Sequence, residues 1–225
     1  MLPTFTQLAS LAAASETVWK YFLDGGNFMW PLLACLVLGI TTIFFKLITL
    51  RRNSIIPADL QKEVSAIESC IENGKIESLL KKFDQGETAL ARLSAVAVHN
   101  RGKSQTDISD AVQTAARHEV LQLNAGMAAL DVVITVAPLL GLLGTASGLA
   151  FLFAKLGETG DMSNTQVITQ GIAIALNTTI FGLAITVPCV IAQTFFNRRI
   201  ESYTTELELL LSKLVHVCQK VTPRS

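Results

Sequence analysis

Three adjacent polar residues, Asn177, Thr178 and Thr179, interrupt the apolar stretch Ala175-Leu176-Asn177-Thr178-Thr179-Ile180-Phe181-Gly182. A fourth, Thr145, stands in Ala137-Pro138-Leu139-Leu140-Gly141-Leu142-Leu143-Gly144-Thr145-Ala146-Ser147-Gly148. Hydroxyl and amide groups are costly where no water can bond them, so they are held against another helix or line a polar path. The chemistry open to such residues is passage. A hydroxyl can hydrogen-bond a proton-carrying group or replace part of a cation's hydration shell. Successive residues step about 100° around a helix, so Asn177 to Thr179 cover a broad arc, and at least one should face a helix interface or a pore. For Thr145, a bond back to its own helix is the simpler alternative.

The elements that carry these residues follow from where charge is missing. No charged residue occurs from Gly25 to Phe45, from Val132 to Ala154, or from Met162 to Asn197. Each run reaches the roughly 20 residues that a helix needs to cross a hydrocarbon core of about 30 Å. The third run exceeds one perpendicular span, and its polar start, Met162 to Gln166, is expected outside the membrane. Charged residues are 16% of the chain against 50% hydrophobic, low for a soluble domain. The 18 basic and 18 acidic residues cancel, so bulk charge suggests no nucleic-acid partner.

Basic residues set the orientation. Arg51-Arg52 follow the first run and Arg198-Arg199 follow the third, whereas only Lys20 precedes the first. The positive-inside rule then places the loop and tail in the cytoplasm and the N-terminus outside. The expected fold is an all-α integral membrane protein with three transmembrane helices and a helical cytoplasmic domain. Residues 1–26 form a periplasmic N-terminus with an interfacial amphipathic helix around Trp19, Lys20 and Tyr21. Residues 27–50 form the first transmembrane helix and 51–124 the cytoplasmic helical domain. The second span covers 125–156, a periplasmic turn 157–166, the third span 167–197, and a cytoplasmic helical tail 198–225. Leu8 to Ala14 is apolar but short and without a basic flank, and reads as part of the mature chain.

Within the loop, Leu60, Val64, Ile67 and Ile71 recur at helical steps, Asn73-Gly74 and Gly86 mark breaks, and Leu90, Leu93, Val96 and Ala97 continue the period. A helix from Thr106 to Asn124 is expected to run unbroken into the second span. Leu207, Leu210, Leu211, Leu214 and Val217 place one apolar face on the tail.

Gly141, Gly144 and Gly148 share a helical face and let a second helix approach closely. Pro138, Gly182 and Pro188 complete the expected helix-packing set. Lys46, at the inner end of the first span, is expected to snorkel. Cys35, Cys70, Cys189 and Cys218 have no metal-ligand spacing. His99, His118 and His216 form no cluster, and no paired carboxylates, Ser/His/Asp set or phosphate loop appears. An enzyme is therefore not expected.

"APLLGLLGTASG", followed about 30 residues later by "GIAIALNTTIFGLAITVP", resembles the paired signature of the MotA/TolQ/ExbB proton-channel family. The three-span layout is closest to the ExbB/TolQ branch. The resemblance implies a homopentamer around two copies of a single-span ExbD/TolR/MotB-like partner, each with a membrane-embedded Asp, in the bacterial inner membrane. Such an assembly couples an ion gradient, H⁺ or Na⁺, to mechanical work in the cell envelope, for example in outer-membrane transport. No cofactor is implied. The ion pathway would include Thr145, Thr179, Thr178 and Asn177, with Thr145 and Thr179 near one membrane depth.

The sequence departs from that branch at Ile174, where the branch commonly carries glutamate within "GIxEAL". No carboxylate lies deep in the second or third span, so the partner must supply one. Asp131, about 21 Å along the helix from Thr145, belongs near the cytoplasmic mouth. There it could hold ions leaving the path, or pair with Arg117 or a neighbouring subunit's base. The alternative to an ion-driven motor is a non-conducting membrane scaffold whose polar residues only hold helices together.

Overall fold

The computed structural model describes residues 26–65, 76–159 and 165–220. Among these residues every regular element is helical. In chain order they are α1 (Met29–Thr49), α2 (Arg52–Ile55), α3 (Ala58–Ser65), α4 (Ile76–Gln85), α5 (Ala89–His99), α6 (Gln105–Asn124), α7 (Met127–Thr159) and α8 (Thr165–Lys220). Three of them, α1, α7 and α8, are long and apolar enough to cross a membrane. The interfacial helix around Trp19, the Asn73-Gly74 stop, and Met162 and Ser163 of the periplasmic turn lie outside the described residues.

The chain divides into two units. The first holds residues 1–43 and 128–193, with most of α1 and α7 and the first half of α8. Its buried side chains are small or apolar: Leu32, Val133, Ala137, Ala175 and Cys189. Its large outward side chains are mostly apolar too, among them Val37, Leu142, Phe153, Leu176, Ile180 and Ile191. A soluble fold would turn polar groups outward, so this surface suits lipid or other helices. Pro138 and Pro188 lie inside α7 and α8, where each removes one main-chain hydrogen bond.

The second unit holds residues 44–127 and 194–225. Thr88 caps α5, its side chain accepting from the Ala91 N–H at 3.3 Å. Ser104 caps α6 by accepting from the Asp107 N–H at 3.2 Å. Such caps satisfy main-chain donors that a helix start leaves open. Leu90, Leu93 and Ala97 of α5, Ile108 and Val112 of α6, and Leu207, Leu211 and Leu214 of α8 are buried. The tail's apolar face is thus core. Arg92 donates to both oxygens of Glu119, at 2.7 and 2.6 Å. The hydrogen bond to Glu119, with its charge, holds the Arg92 guanidinium above its ordinary range. Arg52 and Gln61 both donate to Glu206, at 2.6 and 3.0 Å.

Two expectations are corrected here. The helix from Gln105 does not run unbroken into α7. It ends at Asn124, and Gly126 takes φ +84°, a left-handed turn that glycine adopts at little cost. Lys46 does not snorkel: it is 1% exposed and donates to the Leu123 carbonyl at 2.6 Å. That carbonyl lies in the last turn of α6, where main-chain acceptors lack helical partners and a cation is favoured.

Candidate functional site

The site grows from a seam between α7 and α8. A Cβ placed on Gly144 would lie 2.4 Å from Thr178 Oγ1 and 2.5 Å from its Cβ. One on Gly148 would meet the Ala175 nitrogen at 2.8 Å, and one on Gly182 the Ala137 carbonyl oxygen at 2.7 Å. A Cβ on Gly171 would meet Leu152 Cβ at 2.6 Å. Contact positions rise along α7 as they fall along α8, so the helices run antiparallel. Only residues without side-chain bulk allow this approach.

Along the seam the polar residues separate. Thr178 is fully buried, with Oγ1 3.0 Å from the Ala175 carbonyl, 3.2 Å from that of Ile174 and 3.4 Å from that of Gly141. Thr179 is half-buried and donates across the seam to the Gly141 carbonyl at 3.3 Å. Thr145 is half-buried too and donates back to the Leu142 carbonyl at 2.6 Å. It stands four residues beyond Gly141, about 40° around the helix, so the two threonines flank the same edge of the seam. The contacts of Gly144 with Thr178 and of Gly148 with Ala175 set a register in which Thr145 and Thr179 differ in depth by about 2 Å, less than one helical turn.

Asn177 lies about 200° around α8 from Thr179, on the opposite flank. It is half-buried, and its amide makes no hydrogen bond among the described residues. Ser147 is exposed and likewise has none. Asp131 is exposed and accepts from Gln193 Nε2. Between Val132 and Ala154 of α7, and between Thr165 and Asn197 of α8, there is no charged residue.

Pro138 is half-buried beside the seam residue Ala137, whereas Pro188 is exposed. Sequence reading missed three packing positions, Gly39, Gly171 and Ala175. A Cβ on Gly39 would lie 2.9 Å from Cys189 Sγ and 3.5 Å from Val133 Cγ1, so α1 joins the pair there. The spacing of Gly171, Ala175, Thr178 and Gly182 in threes and fours was the signal for the α8 side. Gly39, single among bulky residues, offered only its size.

The profile of the MotA/TolQ/ExbB proton channel family matches residues 76–209, which include α7 and all of the seam. The chain belongs to this family. An ExbB homolog of Methanothermobacter thermautotrophicus, named for biopolymer transport, is 26% identical over 86% of this chain and 68% of its own length. An ExbB-like biopolymer transport protein of Synechocystis sp. is 31% identical over 74% of this chain and 65% of its own. Biopolymer transport protein exbB1 of Vibrio cholerae is 26% identical over 73% and 72%. The chain therefore spans about two thirds of the length of these relatives. As a MotA/TolQ/ExbB member with three long apolar helices, it is a multi-pass membrane protein.

Proposed function

We propose that this chain is the ion-path-forming subunit of an envelope motor of the ExbB type, coupling an H⁺ or Na⁺ gradient to mechanical work. It would act as a homopentamer in the inner membrane, its N-terminus periplasmic and its C-terminus cytoplasmic. Two copies of a single-span ExbD/TolR/MotB-like partner, each with an embedded aspartate, would occupy the ring. The observation that carries this reading is the placement of Thr145 and Thr179 on one edge of a glycine-lined seam, in helices with no carboxylate of their own. Hydroxyls there supply a polar edge in an apolar span, and the missing charge must come from a partner. Asn177 and Ser147, polar and unbonded on the other flank, support contact with a second copy of the chain. Asp131, held by Gln193, would receive ions at the inner mouth.

One finding favours the scaffold reading. The hydroxyls of Thr145, Thr178 and Thr179 all bond main-chain carbonyls, which would satisfy them without any ion. Vesicles containing the complex isolated from native membranes through a tag on this chain separate the two. A motor subunit brings a single-span protein with an embedded aspartate and passes H⁺ or Na⁺ under an imposed potential. A scaffold does neither.

A further inference from the structure

The joint between α6 and α7 is short and leaves main-chain groups open. α6 ends at Asn124, α7 begins at Met127, and only Ala125 and Gly126 separate them. Among the described residues, the Met127, Ala128 and Ala129 N–H groups have no main-chain acceptor, and Gly126 has no side chain with which to cap them. In an unbroken helix they would bond the carbonyls of Leu123, Asn124 and Ala125. No proline stands between Gln105 and Ala137, so the sequence admits that closed form. Gly126, at φ +84°, is the residue that permits the open one.

Lys46 bears on this choice. It stands in the last turn of α1, is 1% exposed, and donates to the Leu123 carbonyl at 2.6 Å. A buried ammonium needs an acceptor, and among the described residues this carbonyl is the one it has. The same carbonyl is the acceptor that the Met127 N–H would use in the closed helix. A free helix end, with its open carbonyls, draws a cation, and a helix interior does not. Closing the joint gives the carbonyl to Met127 and removes the helix end that holds the lysine. The ammonium and the Met127 N–H therefore favour opposite forms of the joint.

We infer that this joint is a conformational switch with two positions, open with Lys46 on the Leu123 carbonyl and closed with the Met127 N–H on it, and that α1 selects between them through the lysine. A displacement of α1 that draws the ammonium back lets α6 and α7 join into one helix. The groups involved, Lys46, Leu123, Gly126 and Met127, all lie in the second unit. The switch stands at the start of the helix that carries Thr145. It does not rest on the motor reading, since a scaffold with the same joint would have it too.

The direction of a change in amide exchange tests this. Hydrogen–deuterium exchange of the full chain in detergent is read at single amides by electron-transfer fragmentation. In the wild type the Met127 and Ala128 amides, which lack acceptors, should exchange faster than those inside α6. Lys46→Met removes the ammonium and keeps an apolar stem. Gly126→Ala penalises the positive φ of the open form and favours helix. Each should slow exchange at Met127 and Ala128 by about tenfold or more, the worth of one hydrogen bond to a charged group, with the α5 amides unchanged. A lysine with only a structural role gives the opposite sign, because its loss loosens the joint and speeds exchange. Faster or unchanged exchange at these amides in Lys46→Met, with α5 unaltered, would overturn the inference. So would wild-type amides as slow as those inside α6. Gly126→Ala keeps the lysine and decides the matter if Lys46→Met does not fold. Its released Lys46 should react with an amine-directed ester that leaves the wild-type lysine unmodified. Slowed amides beside an unreactive Lys46 would mean that the lysine does not choose the form, and would overturn the inference equally.

Discussion

Gly144 faces Thr178 so closely that a methyl group added to the glycine would lie 2.4 Å from the threonine oxygen and 2.5 Å from its Cβ. The Cβ is fixed by the Thr178 main chain and cannot swing aside, and Cγ2 lies 2.8 Å away as well. Gly144→Ala should therefore part α7 from α8 and cost about 1–3 kcal/mol, as overpacking does. Thr178→Gly should rescue it by vacating the same space. Gly157→Ala, where no atom lies within 4 Å of an added Cβ, should be silent. Thermal unfolding in detergent reads all of these, and a Gly144→Ala protein as stable as wild type would contradict the seam.

The Arg92–Glu119 pair makes an unequal prediction. Glu119 has a side chain only 8% exposed, whereas that of Arg92 is 46% exposed. Arg92→Met strands a buried carboxylate and should cost about 1–3 kcal/mol. Glu119→Gln keeps an acceptor for Arg92 and should cost less. Thermal denaturation of the two variants in detergent should rank them in that order. The reverse order would mean that Glu119 is solvated.

Orientation is open to chemical labelling. In a protein freed of its native cysteines, Ser10→Cys and Ser163→Cys should react with an impermeant maleimide on intact spheroplasts, while Ser104→Cys should not. Labelling at Ser104 alone would invert the proposed topology.

The proposed assembly would use the flank away from the threonines. Native mass spectrometry of the detergent-purified protein should show a pentamer. Asn177→Leu should shift the distribution toward smaller species, since an unpaired amide in a span needs a partner from another copy. A stable monomer across several mild detergents would count against the proposed ring.

Much of this was legible in the sequence, for physical reasons. Spans announce themselves because charge is excluded over a fixed length, which is why α1, α7 and α8 follow from Gly25–Phe45, Val132–Ala154 and Met162–Asn197. Small residues at steps of three and four gave the α7 side of the seam. The division of labour within Asn177-Thr178-Thr179 was not legible. Composition shows three polar residues, but only the position of α7 decides that Thr178 is buried, Thr179 bonded across to Gly141, and Asn177 left on the other flank. Lys46 was misread for a similar reason. A lysine near a span end usually reaches for water, whereas here α6 ends at Asn124 and the Leu123 carbonyl of its last turn accepts from the ammonium group. The periodicity of residues 106–124 could not foresee the turn at Gly126, because a glycine inside a helical pattern is often tolerated.

The central claim is that Thr145 and Thr179 carry ion passage. Its most direct test is H⁺ and Na⁺ flux in vesicles holding the native complex with Thr145→Val and Thr179→Val combined. Valine keeps the shape and removes the hydroxyl, at about tenfold per lost hydrogen bond in a linked equilibrium. Flux should fall by about a hundredfold while native gels still show the intact assembly. A double variant that assembles and conducts like the wild type would contradict the account.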